Sequence, residues 1–152
     1  MELTDVAGER FGNGYSCSQA VFSALAEPWN VSPDVSLRVA AGFGGGLARS
    51  AGTCGCVTGA VMAIGLAQPD VSPEMNGPEK EKTCQRARQF LREFEQRNGS
   101  TLCSELLECN IGTDEGLAQA RRDKLFKLRC PKLVRDAVEI VQGMSSGAGG
   151  PA

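Results

Sequence analysis

Apolar residues recur at helical spacing along nearly the whole chain, and nowhere do they alternate with period two over the length of a strand. That pattern predicts an all-α fold, a compact bundle of about six to eight helices. With 152 residues the chain suffices for one domain whose core needs no disulfide or metal as a staple. A single helical domain is expected over 1–142, followed by a flexible Gly- and Ser-rich tail over 143–152.

Capping residues, Gly and Pro divide the helices. The first is expected from about Thr4 to Phe11, stopped by Gly12-Asn13-Gly14. Ser16 and Gln19 have capping-box spacing, so SCSQAVFSALA starts a second helix that Pro28 ends and that carries Cys17 in its first turn. Ser32 and Pro33 read as N-cap and first residue of a short helix with Val35, Val39 and Ala40 on its buried side. Thr53 caps a helix from near Cys54 to about Ala67, in TCGCVTGAVMAIGLA, where Gly55 and Gly59 lie one turn apart and let another backbone pack closely.

Farther on, PEKEKTCQRARQFLREFEQRNG makes an amphipathic helix with Cys84, Ala87, Leu91 and Phe94 as its apolar stripe, ended by Gly99. Thr101 caps a short helix through Cys103, Ser104, Glu105 and Leu106, and Cys109 follows its last turn. Thr113 and Asp114 start an exposed, Arg-rich helix. Cys130 stands before Pro131, which reads as the first residue of a last helix buried through Leu133, Val134, Ala137, Ile140, Val141 and Met144.

The ionisable residues narrow the function. A net charge of -2, without a run of Lys and Arg interleaved with aromatics, gives no footprint for nucleic acid or an anionic membrane. No apolar run reaches membrane-spanning length, and MELTDVAGERF lacks the basic start and apolar region of a signal peptide, so a cytoplasmic protein is expected. Seven Cys stand beside no His at all. The lack of His excludes Cys-His and Ser-His nucleophilic pairs, His-ligated metal and covalent haem attachment. Seven thiols in a reducing compartment point to metal, cluster or thiol redox work, and an odd number leaves one unpaired.

Other motifs carry little. GFGGGLARSAGT, read as a loop, has no strand before it and no Lys-Ser or Lys-Thr of a phosphate-binding loop, so its glycines are expected to serve tight turns and close backbone approach. Asn98-Gly99-Ser100 matches a glycosylation sequon without a secretory context. Glu9, Glu105 and Arg49 are available charged residues, but their spacing assigns none of them acid-base work.

Four cysteines differ from the rest. Cys17, Cys54, Cys103 and Cys130 each fall at an expected helix start, where free backbone N–H groups and the helix dipole favour a thiolate. Cys84 in a helix interior and Cys109 near a helix end lack that field and read as structural. Cys56 follows Cys54 in a CxC arrangement, but residues so close on a helix point in different directions, so it is expected near the site and outside the ligand set.

The stretches GYSCSQAVF, AAGFGGGLARSAGTCGCVTGAVMAIGL, REFEQRNGSTLCSELL and CPKLVRDAVEIV, in this order, resemble the C-GCAxxG-C-C family of redox proteins from about Phe11 to Val141. The family's four cysteines correspond to Cys17, Cys54, Cys103 and Cys130. Its CGAxxG motif corresponds to Cys54-Gly55-Cys56-Val57-Thr58-Gly59, with Cys56 where Ala is usual. The family is in turn similar to part of the split-Soret cytochromes. This implies a helical homodimer and an iron–sulfur cluster on the four cysteines, and no covalent haem, because the chain has no CxxCH.

Three functions follow as expectations. The first is electron transfer to an unidentified partner protein by a cluster, [2Fe–2S] in type, on Cys17, Cys54, Cys103 and Cys130, with Gly55 and Gly42 to Gly46 letting the backbone approach it. The second is thiol–disulfide exchange or oxidant sensing, with Cys54 as nucleophile and Cys17 or Cys130 resolving. The third is a structural zinc site with four cysteine ligands, for which paired CxxC knuckles are missing. Against all three stands a helical protein with inert cysteines. Redox chemistry is expected in preference to catalysis on a small molecule.

Overall fold

The computed structural model describes residues 1–69, 71, 73–74 and 77–145, and among these it has eight α-helices and no strand. They are α1 (Leu3–Gly12), α2 (Cys17–Ala26), α3 (Pro33–Ala40), α4 (Gly55–Leu66), α5 (Pro78–Asn98), α6 (Cys103–Leu107), α7 (Asp114–Arg122) and α8 (Leu125–Ser145). Single 3₁₀ turns follow α2 at Glu27–Trp29 and α3 at Ala41–Phe43. The all-α expectation is met.

Local chemistry sets most boundaries. The Ser16 hydroxyl accepts from the Gln19 N–H at 3.4 Å while the Gln19 side chain accepts from the Ser16 N–H at 2.9 Å, a complete capping box. Ser32 caps α3 through the Val35 N–H with Pro33 as its first residue, and Thr113 caps α7 through the Gly116 N–H. Gly99 ends α5 in the left-handed conformation, φ 86°.

Helix α2 is the hub and packs on α1, α3, α4 and α8. Its approach to α4 is close because α4 turns Gly55 and Gly59 toward it. A β-carbon at Gly59 would stand 2.9 Å from the Ser18 carbonyl oxygen. The core between these helices is filled by Val21, Val57, Phe90, Phe94, Val134 and Val138, all at most 1 % exposed. Arg97 of α5 pairs with Asp136 and Glu139 of α8, and Lys132 closes on Asp136 from the preceding turn.

Three expectations about helix faces are corrected. Val35 and Val39 are exposed, and α3 instead lays Ser36 and Ala40 inward. These small residues allow a close approach in which the Ser18 hydroxyl donates to the Ala40 carbonyl at 2.9 Å and Gln19 Nε2 to the Leu37 carbonyl at 3.0 Å. Cys84 is exposed, because the buried seam of α5 runs through Phe90 and Phe94, one turn apart with rings 5.7 Å between centroids. The last helix does not start at Pro131. It begins at Leu125 and carries Pro131 inside, so the chain accepts one missing N–H bond to continue the stripe of Leu133, Val134, Ala137, Ile140 and Val141. That helix extends to Ser145, into the segment expected to be a flexible tail; residues 146–152 of the tail lie outside the described residues.

Candidate functional site: a cavity of cysteines

Cys17 is the first residue of α2, Cys54 is the N-cap residue of α4, and Cys103 opens α6. Two of these helix starts are tied by backbone. The Cys54 N–H donates to the Thr101 carbonyl at 2.8 Å and the Cys103 N–H to the Gly52 carbonyl at 2.7 Å, on either side of an antiparallel bridge between Thr53 and Leu102. Cys130 reaches the same region from the second turn of α8, so its expected helix-start position is corrected to a helix interior.

All four thiols, with that of Cys56, line one cavity of about 860 Å³. The sequence placed Cys56 near this set, and the structure makes it a fully buried neighbour of Cys17 and Cys54. The three are close enough for each to perturb the ionisation of the others. Cys103 and Cys130 belong to a second buried cluster with Leu107 and Ile111, and each feels the charge of Cys17 across the cavity.

Cys17 alone has its ionisation eased. The Cys54 and Cys56 thiols, then the Gly45 and Ser18 N–H groups, stabilise its thiolate against the cost of burial and hold it well below the usual thiol range. The residue keeps partial exposure where the other four are buried, but its sulfur is itself enclosed. Cys54 and Cys56 move upward, Cys54 because its proton is held toward Cys17 and Cys56 because it is buried. Burial pushes Cys103 up to about 11 and Cys130 up to about 12, in each case with the Cys17 charge adding to the effect. Of the cysteines expected at helix starts, Cys17 thus has surroundings that favour its thiolate, and Cys54, Cys103 and Cys130 have surroundings that disfavour theirs. Burial is the leading cause at Cys103 and Cys130, and the hydrogen bond to Cys17 at Cys54.

The Gly45 N–H comes from an unusual loop. From Gly45 to Arg49 five successive residues have positive φ, between 50° and 71°, and Ala51 follows at 64°. Leu47, Ala48, Arg49 and Ala51 carry β-carbons, for which this region is costly. The loop is held by long-span backbone bonds, from Ala48 N–H to the Gly42 carbonyl at 2.8 Å and from Gly52 N–H to the Gly46 carbonyl at 2.9 Å. A strained segment fixed in this way is a mark of functional sites. Its glycines signalled tight turns; nothing in Leu47, Ala48 or Arg49 signalled a left-handed run.

The remaining candidates lie apart. The Cys109 thiol donates to the Gly116 carbonyl at 3.1 Å, away from the cavity lining, and Cys84 is exposed on α5. Glu105 is bonded to the Ser100 hydroxyl and Glu9 is exposed, whereas Arg49 lines the cavity. Among the described residues no three His, Cys, Asp or Glu side chains converge as ligands of a single metal ion, and no helix is long and apolar enough to cross a membrane.

A family model described as "Putative redox-active protein (C_GCAxxG_C_C)" matches residues 15–144, a span that contains all seven cysteines. No curated protein and no solved structure gives a significant match.

Proposed function

The chain belongs to the C_GCAxxG_C_C family of redox-active proteins, and on that footing we propose that Cys17, Cys54, Cys103 and Cys130 hold an iron–sulfur cluster, [2Fe–2S] in type, for electron transfer. The observation that carries this reading is the gathering of five thiols, with no carboxylate among the lining residues, around one cavity. Thiolate is the donor such clusters require. Cys17, Cys54 and Cys56 lie within reach of one another, and Cys103 and Cys130 share a buried cluster on the same cavity.

A bound cluster would supply one-electron transfer. The chain's own residues do the rest. Gly45 and Ser18 direct N–H groups at Cys17 Sγ and favour negative charge there, and Gly55 leaves room for that sulfur. Leu107, Phe126 and Leu133 keep much of the wall dry, which strengthens every charge interaction within.

One observation favours a second reading, thiol–disulfide exchange. Cys17, whose surroundings favour its thiolate, lies beside two thiols whose ionisation is disfavoured. In such an exchange Cys17 Sγ bonds one sulfur of a substrate disulfide and the other leaves as thiolate. The Cys54 or Cys56 sulfur, once deprotonated, then attacks Cys17 Sγ and releases the second substrate thiolate. The deciding experiment is anaerobic purification followed by absorption spectroscopy with iron and acid-labile sulfide assays. Charge-transfer bands with matched iron and sulfide support the cluster, and a colourless protein that resists reconstitution leaves the exchange reading.

A further inference from the structure

The thiols account for only part of the cavity. A volume of about 860 Å³ lies in the upper range of pockets that enclose small organic molecules, and a two-iron cluster with its ligands fills a small part of it. The rest is walled largely by apolar surface from Phe11, Tyr15, Ala41, Leu106 and Phe126. Two charged side chains complete the lining, Arg49 and Lys127, and both are cationic although the chain as a whole is net negative.

Neither cation is engaged in an ion pair among the described residues. Each is tied to the redox residues by the chain itself. The Arg49 stem lies over Gly45, where an added β-carbon would stand 2.5 Å from Arg49 Cγ, and Gly45 is the donor to Cys17. Lys127 precedes Cys130 by one turn of α8 and so shares its face. Unpaired cations at the rim of an apolar chamber would repel a cation and gain little from a neutral guest.

We propose that this cavity binds a small organic anion, an apolar body carrying a carboxylate, sulfonate or phosphate, with its charged end between Arg49 and Lys127 and its body against the thiols. The inference rests on the reading of the cavity as the redox site and gives that site a substrate class.

The test titrates the protein as purified with anilinonaphthalene sulfonate, an apolar fluorescent anion, and with N-phenylnaphthylamine, the same ring system without the charge. Arg49→Gln and Lys127→Gln are compared with Lys82→Gln, which removes the same charge from exposed α5 away from the cavity. The expected result is saturable binding of the sulfonate, weakened about tenfold or more by each cavity variant and unchanged by Lys82→Gln, as loss of one charge-assisted contact requires. The neutral analogue should bind all four proteins alike. No saturable sulfonate binding, or equal binding to the cavity variants and Lys82→Gln, overturns the proposal. Iron and sulfide counted on the same samples report separately on the cluster, so the two readings fail independently.

Discussion

Gly55 meets the sulfur of Cys17 so closely that a β-carbon at residue 55 would stand 2.5 Å from Cys17 Sγ and 3.0 Å from the Ser18 nitrogen. The start of α4 must therefore be bare where it meets the start of α2. Gly55→Ala should displace the thiol or part the helices, at a cost of about 1–3 kcal/mol as for other overpacked contacts. Thermal unfolding should record a lower Tm, and Cys17 should alkylate with a higher apparent pKa. An unchanged Tm together with an unchanged alkylation profile would show that the contact is not tight.

Cys17 is the acidic thiol. In cluster-free protein its alkylation by iodoacetamide should reach half its plateau at a lower pH than that of an ordinary thiol, which does so near about 8.5. The depressed value also stabilises the fold: the contribution is full above the unfolded value and is lost as pH falls through the folded one. Cys17→Ser should therefore flatten the pH dependence of Tm on the acid side of about 8.5.

Cys103 and Cys130 titrate in the opposite sense. Their folded values, about 11 and about 12, lie above the unfolded one, so their contribution is full below about 8.5 and is lost as pH rises toward those values. Cluster-free Cys103→Ser and Cys130→Ser should lose less Tm between neutral and alkaline pH than the parent protein. A decline as steep as the parent's would mean that these thiols ionise freely in the folded state.

The cysteines should divide by chromophore. Single replacement of Cys17, Cys54, Cys103 or Cys130 by Ser should abolish the visible absorption of anaerobically purified protein, and Cys84→Ser and Cys109→Ser should retain it. Loss of colour in Cys84→Ser would break the partition, because that side chain is exposed on α5 away from the cavity.

Pro131 sits where α8 would bond an N–H to the Lys127 carbonyl. Pro131→Ala should restore that donor and raise stability by about 1–3 kcal/mol, read as a higher Tm. A fall in Tm would mean that the ring's packing against the cavity outweighs the missing bond.

Much of this architecture is legible because its boundaries are written in local chemistry. Ser16 with Gln19, Ser32 with Pro33, and Thr113 each announce a helix start whose bonds the structure then makes. Gly55 and Gly59 announce a close contact, and their spacing shows which face makes it. Pro131 misleads because Cys-Pro has the form of a helix start, and burial of a long apolar stripe overrides that local preference. Cys84 misleads for a related reason: its hydrophobicity matches the stripe, but the two aromatic rings of α5 determine which face is buried. The cavity itself has no signature in one sequence, since its walls come from residues between Phe11 and Leu133 that meet only in the folded chain.

The left-handed run from Gly45 to Arg49 also bears on when the protein becomes reactive during its synthesis. Its L-residues each stand in a conformation disfavoured by about 1–2 kcal/mol, so a short segment on its own does not dwell there. The loop forms only when Gly42 and Gly44 are in place to receive its bonds, and Gly45 meets Cys17 only when that assembly has docked on α2. A chain still emerging from the ribosome therefore carries seven thiols of ordinary acidity. The eased ionisation of Cys17 belongs to the folded chain, in which Gly45 and Ser18 are brought to its sulfur.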